Sequence, residues 1–370
     1  MLRRSLYLIL LLSISQPALR SGASAPTGAK AKAEQAVARG LAYLRGTQES
    51  DGSWSHYPAI TALALAGFLR NGRTGANDSA VAKGLRFLVR SAHPNGSIYS
   101  AANPATALPN YNTSLAVVAL TLTHNALYSG LIHKAQLYLE RSQIDESHGV
   151  SPSDPRYGGI GYGDDPGDID NPDLSNLQMA LEALKDSGAP ASAPVWNKAI
   201  IFLQRVQNRE QSNDQAWAKQ AGNDGGFVYD SRGRSNTPDG GHTSYGAMTY
   251  AGLESYIYCG VSRQDPRAMA AYHWIRGNYT VRQHPKMGTT SLYYYYHTFA
   301  KTLDVYGAKI VRDLKGKPHN WSMDLAVRLE ALQHPDGSWS NTNARYWENQ
   351  PNLVTSYSLI SLSYCIKQLT

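Results

Sequence analysis

The chain has 370 residues, 42% of them apolar and only 17% charged, with a formal net charge of +7. That is enough apolar material for a large core and too little charge for a disordered chain. No Lys/Arg block is present that would track a phosphate backbone, which excludes nucleic acid as a partner, and two cysteines, Cys259 and Cys365, make no disulfide framework.

Residues 1–25 open with Arg3 and Arg4, continue with an apolar run from Leu6 to Ile14, and end in the small residues Ala23-Ser24-Ala25. The run is too short to span a bilayer, and the order is that of a secretory signal peptide, so a secreted or periplasmic protein is expected. An uncut N-terminal membrane anchor is the other reading. Arg3, Arg4 and Arg20 carry much of the excess positive charge.

Residues 26–370 read as one domain built from a recurring unit. The first copy, RGLAYLRGTQESDGSW, holds Arg39-Gly40, Tyr43-Leu44, Gln48, Gly52 and Trp54. The spacing returns at Lys83-Gly84, Phe87-Leu88 and Gly96. It returns again at Lys134-Ala135, Tyr138-Leu139 and Gln143, and at Lys198-Ala199, Phe202-Leu203 and Gln207. A fainter copy sits at Ala270-Ala271 and Trp274-Ile275, and the last at Leu329, Leu332, Gln333, Gly337 and Trp339. Each copy has helical apolar spacing and is followed by a glycine loop and a second, more apolar helix. These second helices begin near Pro58, Asn112, Asp173, Ser244, Ser291 and Val354. Six such hairpins predict an all-α fold, an (α/α)6 toroid with buried helices inside and amphipathic ones outside. Closing the ring makes the first and last units neighbours, which explains the two DGSW loops. Gly52 and Gly337 suit positive φ past a helix end, Gln48 and Gln333 suit exposed backbone groups, and Trp54 and Trp339 suit packing over the junction.

The pattern of basic residue, Gly/Ala, aromatic-Leu, Gln, Gly and Trp resembles the QW repeat of squalene–hopene and oxidosqualene cyclases. The same double ring occurs in the β subunits of protein prenyltransferases. The resemblance implies a terpenoid-cyclase-like toroid with a central aromatic cavity for an apolar, isoprenoid-type ligand. Class II cyclases open an inner helix with D-x-D-D, whose middle Asp donates a proton. Here Asp173-Leu174-Ser175-Asn176 puts Ser175 at the acid position, and Asp168-Ile169-Asp170-Asn171 is a second partial match upstream. Prenyltransferases hold zinc with an Asp two residues before a Cys. Ile257 and Ser363 stand there instead, so no metal site of that kind is expected.

In a toroid the starts of the inner helices converge at one mouth, and six positive helix ends there favour an anionic or hydrogen-bond-accepting group. The candidate catalytic residues are therefore Asp170, Asp173, His242 and His297, and the candidate ligand-binding residues are Asn176, Gln178, Tyr245, Tyr293, Tyr296 and Trp347. Asp173 is equally a helix cap, His242 a loop residue bonded to backbone, and the Tyr293–Tyr296–His297 face a core face. No cofactor is required by the pattern. Asp164, Asp165, Asp168 and Asp170 are the one cluster that fits a Ca²⁺ ion. Two rival readings stay open: a carbohydrate-active lyase or hydrolase on an α/α toroid, and a non-catalytic binding or scaffold ring. The expected partner is a small molecule or glycan. Association with a membrane surface and the oligomeric state stay open.

Overall fold

The computed structural model describes residues 27–72, 78–100, 107–163 and 171–369. Twelve α-helices occur among them, alternating along the chain between an outer and an inner layer. The outer helices are α1 (Thr27–Gly46), α3 (Ser79–Arg90), α5 (Ser129–Arg141), α7 (Pro194–Val206), α9 (Pro266–Gly277) and α11 (Trp321–Leu332). The inner ones are α2 (Pro58–Arg70), α4 (Pro109–Thr121), α6 (Leu174–Asp186), α8 (Gly246–Tyr258), α10 (Leu292–Tyr306) and α12 (Pro351–Gln368). A short antiparallel pair, β1 (Val311–Arg312) and β2 (Pro318–His319), links α10 to α11.

Composition separates the layers. In α3 only one face is buried, with Val81, Leu85 and Leu88, whereas α2 is buried continuously from Pro58 to Phe68. A helix apolar all round must be enclosed, and a one-faced helix must sit on the rim. Each inner helix packs on the next, from α2 through α4, α6, α8 and α10 to α12, and α12 packs back on α2. The ring is closed, and α1 seals it against α11 and α12. None of the described helices is long and apolar enough to cross a membrane.

The repeated loop is the fastener between hairpins. Gly52 and Gly337 both have φ of +90°, and a Cβ there would stand 2.6 Å from the carbonyl oxygen of Lys83 or Arg39 on the next outer helix. Gln48 Nε2 donates to the carbonyls of Gly52 and Ala80, and Gln333 Nε2 to those of Gly337 and Ala36. Gln143 and Gln207 repeat this bridge to Gly158 and Val195, and to Gly225 and Arg267. The indole N–H groups of Trp54 and Trp339 donate to Leu44 O and Leu329 O, ten residues back in each case. Trp54 lies against Gly84, and Trp339 against Gly40. The basic-Gly pair of the repeat is thus the seat of the tryptophan. In the loops where Ile98, Ile160 or Phe227 takes the place of the tryptophan, the residue equivalent to that glycine is Ala135, Ala199 or Ala271.

Candidate functional site

A cavity of about 270 Å³ lies at the end of the ring where the inner helices begin. Its wall takes Tyr57 from the start of α2, Tyr111 from α4, Ser175 from α6, Tyr245 from α8, Tyr294 from α10, and Leu353 and Tyr357 from α12. Loop residues complete it: Tyr162, Tyr229, His284, Met287, and the segment Tyr346-Trp347-Glu348. Eight tyrosines and Trp347 therefore face one space, with Ile60, Leu63, Leu108 and Met248 between them. Some hydroxyls are paired, Tyr162 with Tyr229 at 3.1 Å and Tyr111 with Tyr357 at 3.4 Å, while that of Tyr294 has no partner among the described residues. Trp347, 44% exposed, stands at the rim with its ring 5.6 Å from Tyr57.

At four of the six inner-helix starts, free N–H groups are already occupied by side chains, which narrows the expectation of an anion-attracting mouth. Asn112 Oδ1 accepts from Ala59 N at the start of α2. Asp173 Oδ1 accepts from Ser175 N and Asn176 N in α6. His284 Nε2 accepts from Ala247 N in α8, while its Nδ1 donates to Thr290 O. Glu348 Oε1 accepts from Tyr293 N and Tyr294 N in α10, across more than fifty residues. Side chains have taken the positions that an anion would fill.

Burial sets the charge of these caps. Desolvation pushes the Glu348 carboxyl up to about 7, against the pull of Asn341 and the α10 N–H groups. Desolvation likewise raises Asp173, and the bonds from Asn176 and Ser175 oppose it. His284 is pushed down to about 4 by burial and stays neutral.

The sequence candidates separate into four groups. Tyr245 and Trp347 line the cavity. Asp173 is buried behind the wall, holding Ser175 Oγ on Oδ1 and Asn176 Nδ2 on Oδ2, so Asp173 and Asn176 serve each other and the helix start. Gln178 and His297 lie one turn deeper than the lining residues Ser175 and Tyr294. Three candidates do not reach the site. Tyr293 and Tyr296 turn away from the ring axis: their rings meet edge-on at 5.7 Å, and Tyr296 donates its hydroxyl to Val281 O. The helix phase puts Tyr294, not Tyr293, on the cavity side. His242 folds back on its own loop, with Nδ1 2.8 Å from Gly233 O and its ring over Trp217 at 5.2 Å. Asp164, Asp165, Asp168 and Asp170 lie outside the described residues, and no cluster among the described residues is arranged to hold a metal.

The segment Tyr346-Trp347-Glu348 could be read from the sequence as a cavity rim or a turn, but the capping role of Glu348, and His284 altogether, were missed, because each caps a helix remote in sequence. It also missed Tyr57 and Tyr111, although both sit at inner-helix starts, where the rule already pointed.

Below the cavity the axis is polar and then ionic. Lys301 Nζ bonds Glu182 Oε2 across the ring from α10 to α6 and lies 3.4 Å from Glu254 of α8. Arg70 of α2 approaches Glu182 at 3.8 Å and Asp186 at 3.7 Å. Burial raises the Glu254 and Asp186 carboxyls, and the neighbouring Glu182 adds to it. This cluster plugs the far half of the ring.

The chain matches no protein-family model and no curated protein. It does match solved structures. A protein from Actinoplanes shares 15% identity over 91% of this chain and 99% of its own, with a TM-score of 0.53. The type II terpene cyclase MstE from Scytonema, in complex with its product merosterolic acid A, shares 13% identity over 92% and 99%, with a TM-score of 0.55. The same cyclase with its substrate geranylgeranyl dihydroxybenzoate gives 12% identity over 92% and 98%, with a TM-score of 0.53. What is shared at such identities is the architecture, and the chain has the terpene cyclase-like helical toroid.

Proposed function

We propose that this is an exported terpenoid-cyclase-like protein that binds an apolar, isoprenoid-type ligand in the central aromatic cavity without initiating ordinary cyclisation. The observation that carries the reading is the wall itself: eight tyrosines, one tryptophan and aliphatic side chains converge on one space at the mouth of the ring. Such a surface complements a branched hydrocarbon chain, and the π faces suit its double bonds. The prenylated ligands of MstE, held in the same kind of ring, support it. The place of the cyclase acid is held by Ser175, whose hydroxyl donates to Asp173, and a serine hydroxyl does not protonate an alkene. The mainly apolar lining weighs against a glycan.

One observation favours a second reading, catalysis. Glu348 is a carboxyl in the cavity wall that carries a proton part of the time near neutral pH. Calorimetric titration with isoprenoid alcohols of ten to twenty carbons, and with cello-oligosaccharides, tests the first reading. Saturable isoprenoid binding with a negative heat-capacity change is expected, and binding of oligosaccharide alone would overturn it. Incubation with a polyprene and analysis by mass spectrometry tests the second. A cyclised product that disappears in Glu348→Gln would establish it in place of the binder.

A further inference from the structure

Along the ring axis α6 and α10 run in matching steps. Glu182 and Lys301 meet across the ring. Four residues earlier on each helix stand Gln178 and His297, and three residues before those stand Ser175 and Tyr294, which line the cavity. Since residues three or four apart share a helix face, Gln178 and His297 form a layer between the cavity and the ion pair. Both are buried: Gln178 is 0% exposed and His297 3%. Neither has a hydrogen-bond partner among the described residues for either of its two polar side-chain atoms. The Tyr294 hydroxyl directly above is unpartnered too, and His297 packs on Tyr357, another lining ring, at 5.2 Å between ring centroids.

Unpartnered buried polar groups cost stability, and four such atoms in one layer point to a use. Their chemistry restricts the occupant. A Gln amide donates and accepts, and so does a neutral imidazole; burial, with Lys301 and Arg70 near, keeps His297 neutral. The charged groups beneath are Lys301 and Arg70 against Glu182, Glu254 and Asp186, so no cation is left over for an anionic head. The complement is a small neutral group that both donates and accepts.

We infer that Gln178 and His297 form a polar floor to the cavity that receives the hydroxyl end of a neutral isoprenoid alcohol, with the hydrocarbon chain rising among the tyrosines. This rests on the isoprenoid reading above. The probes are farnesol, the matching hydrocarbon farnesene, and farnesyl diphosphate. The wild type is expected to prefer farnesol over farnesene by about tenfold, the scale of one buried hydrogen bond, and to bind the diphosphate more weakly than the alcohol. Gln178→Leu and His297→Phe are expected to raise the melting temperature of the ligand-free protein and to bring the farnesol-to-farnesene ratio to about one. A purely structural role for the two residues would lower the melting temperature instead. Equal wild-type affinity for alcohol and hydrocarbon, tighter binding of the diphosphate, or a preference that survives both substitutions would overturn the polar floor while leaving the apolar cavity reading intact. Failure of every isoprenoid to bind would overturn both together.

Discussion

Glu348 and His284 perform the same task with opposite titration. Each caps an inner helix and lines the cavity. Glu348 is raised from 4.5 to about 7, so its contribution to stability is full below pH 4.5 and is lost as pH rises through about 7. His284 is lowered from 6.5 to about 4, so its contribution is full above pH 6.5 and is lost as pH falls through about 4. Thermal melts of Glu348→Gln against the wild type separate them. The advantage of the wild type over the variant is expected to shrink steadily from pH 4.5 to pH 8, and a constant difference would contradict the assignment. Neither role was legible in the sequence, because a cap that crosses from one hairpin to another leaves no local signature. Tyr245 and Trp347 were legible, since both lie beside an inner-helix start. Tyr293 and Tyr296 were misplaced for a different reason: in SLYYYYHTF every register offers tyrosine, and the composition does not fix which ring faces inward.

The glycine loop decides how neighbouring hairpins dock. Gly337→Ala puts a Cβ 2.6 Å from Arg39 O at φ +90° and is expected to destabilise by roughly 3 kcal/mol or more. Gly72→Ala, also at positive φ (+66°) but with nothing within 4 Å among the described residues, should cost only about 1 kcal/mol. Equal losses in urea titrations would show that backbone strain, not the contact, matters. The seat of Trp339 gives a sharper test. Gly40→Ala meets Trp339 at 2.8 Å and should destabilise. Adding Trp339→Ile, which gives the residue types that stand at the equivalent positions Ala135 and Ile98, should recover part of that loss, giving a favourable coupling in a double-mutant cycle. These loops were readable because each copy solves one local packing problem with the same few residue types. The Gln–Gly–Trp spacing therefore survives in the first and last units even where the middle units dilute it.

At the scale of the whole ring, the plug of charges is the feature that the repeat pattern did not reveal. Lys301, Glu182 and Glu254 each read as an isolated charge in an apolar helix, and only closure brings them together on the axis. The warning was present: a charged residue inside MALEAL, AGLESY or HTFAK has no water to face once the helix is internal. Lys301→Met leaves Glu254 with no cation beside it among the described residues and Glu182 with Arg70 alone, and should cost about 3–5 kcal/mol near neutral pH. The loss should diminish in acid as Glu254, which burial raises to about 7, takes up its proton, and melts at pH 5 and pH 8 would read this directly. Closure itself was legible, because the two DGSW loops are explained only if the first and sixth units touch. That contact joins Arg39 to Gln333, 294 residues apart. A ribosome adding roughly 5–20 residues per second needs roughly 15–60 s between delivering one side of this seam and the other. Throughout that interval α1 has neither α11 nor α12 to cover it, and the growing chain is an arc with two sticky edges. The molecule's vulnerability to misassembly is therefore concentrated in the wait for its last two helices.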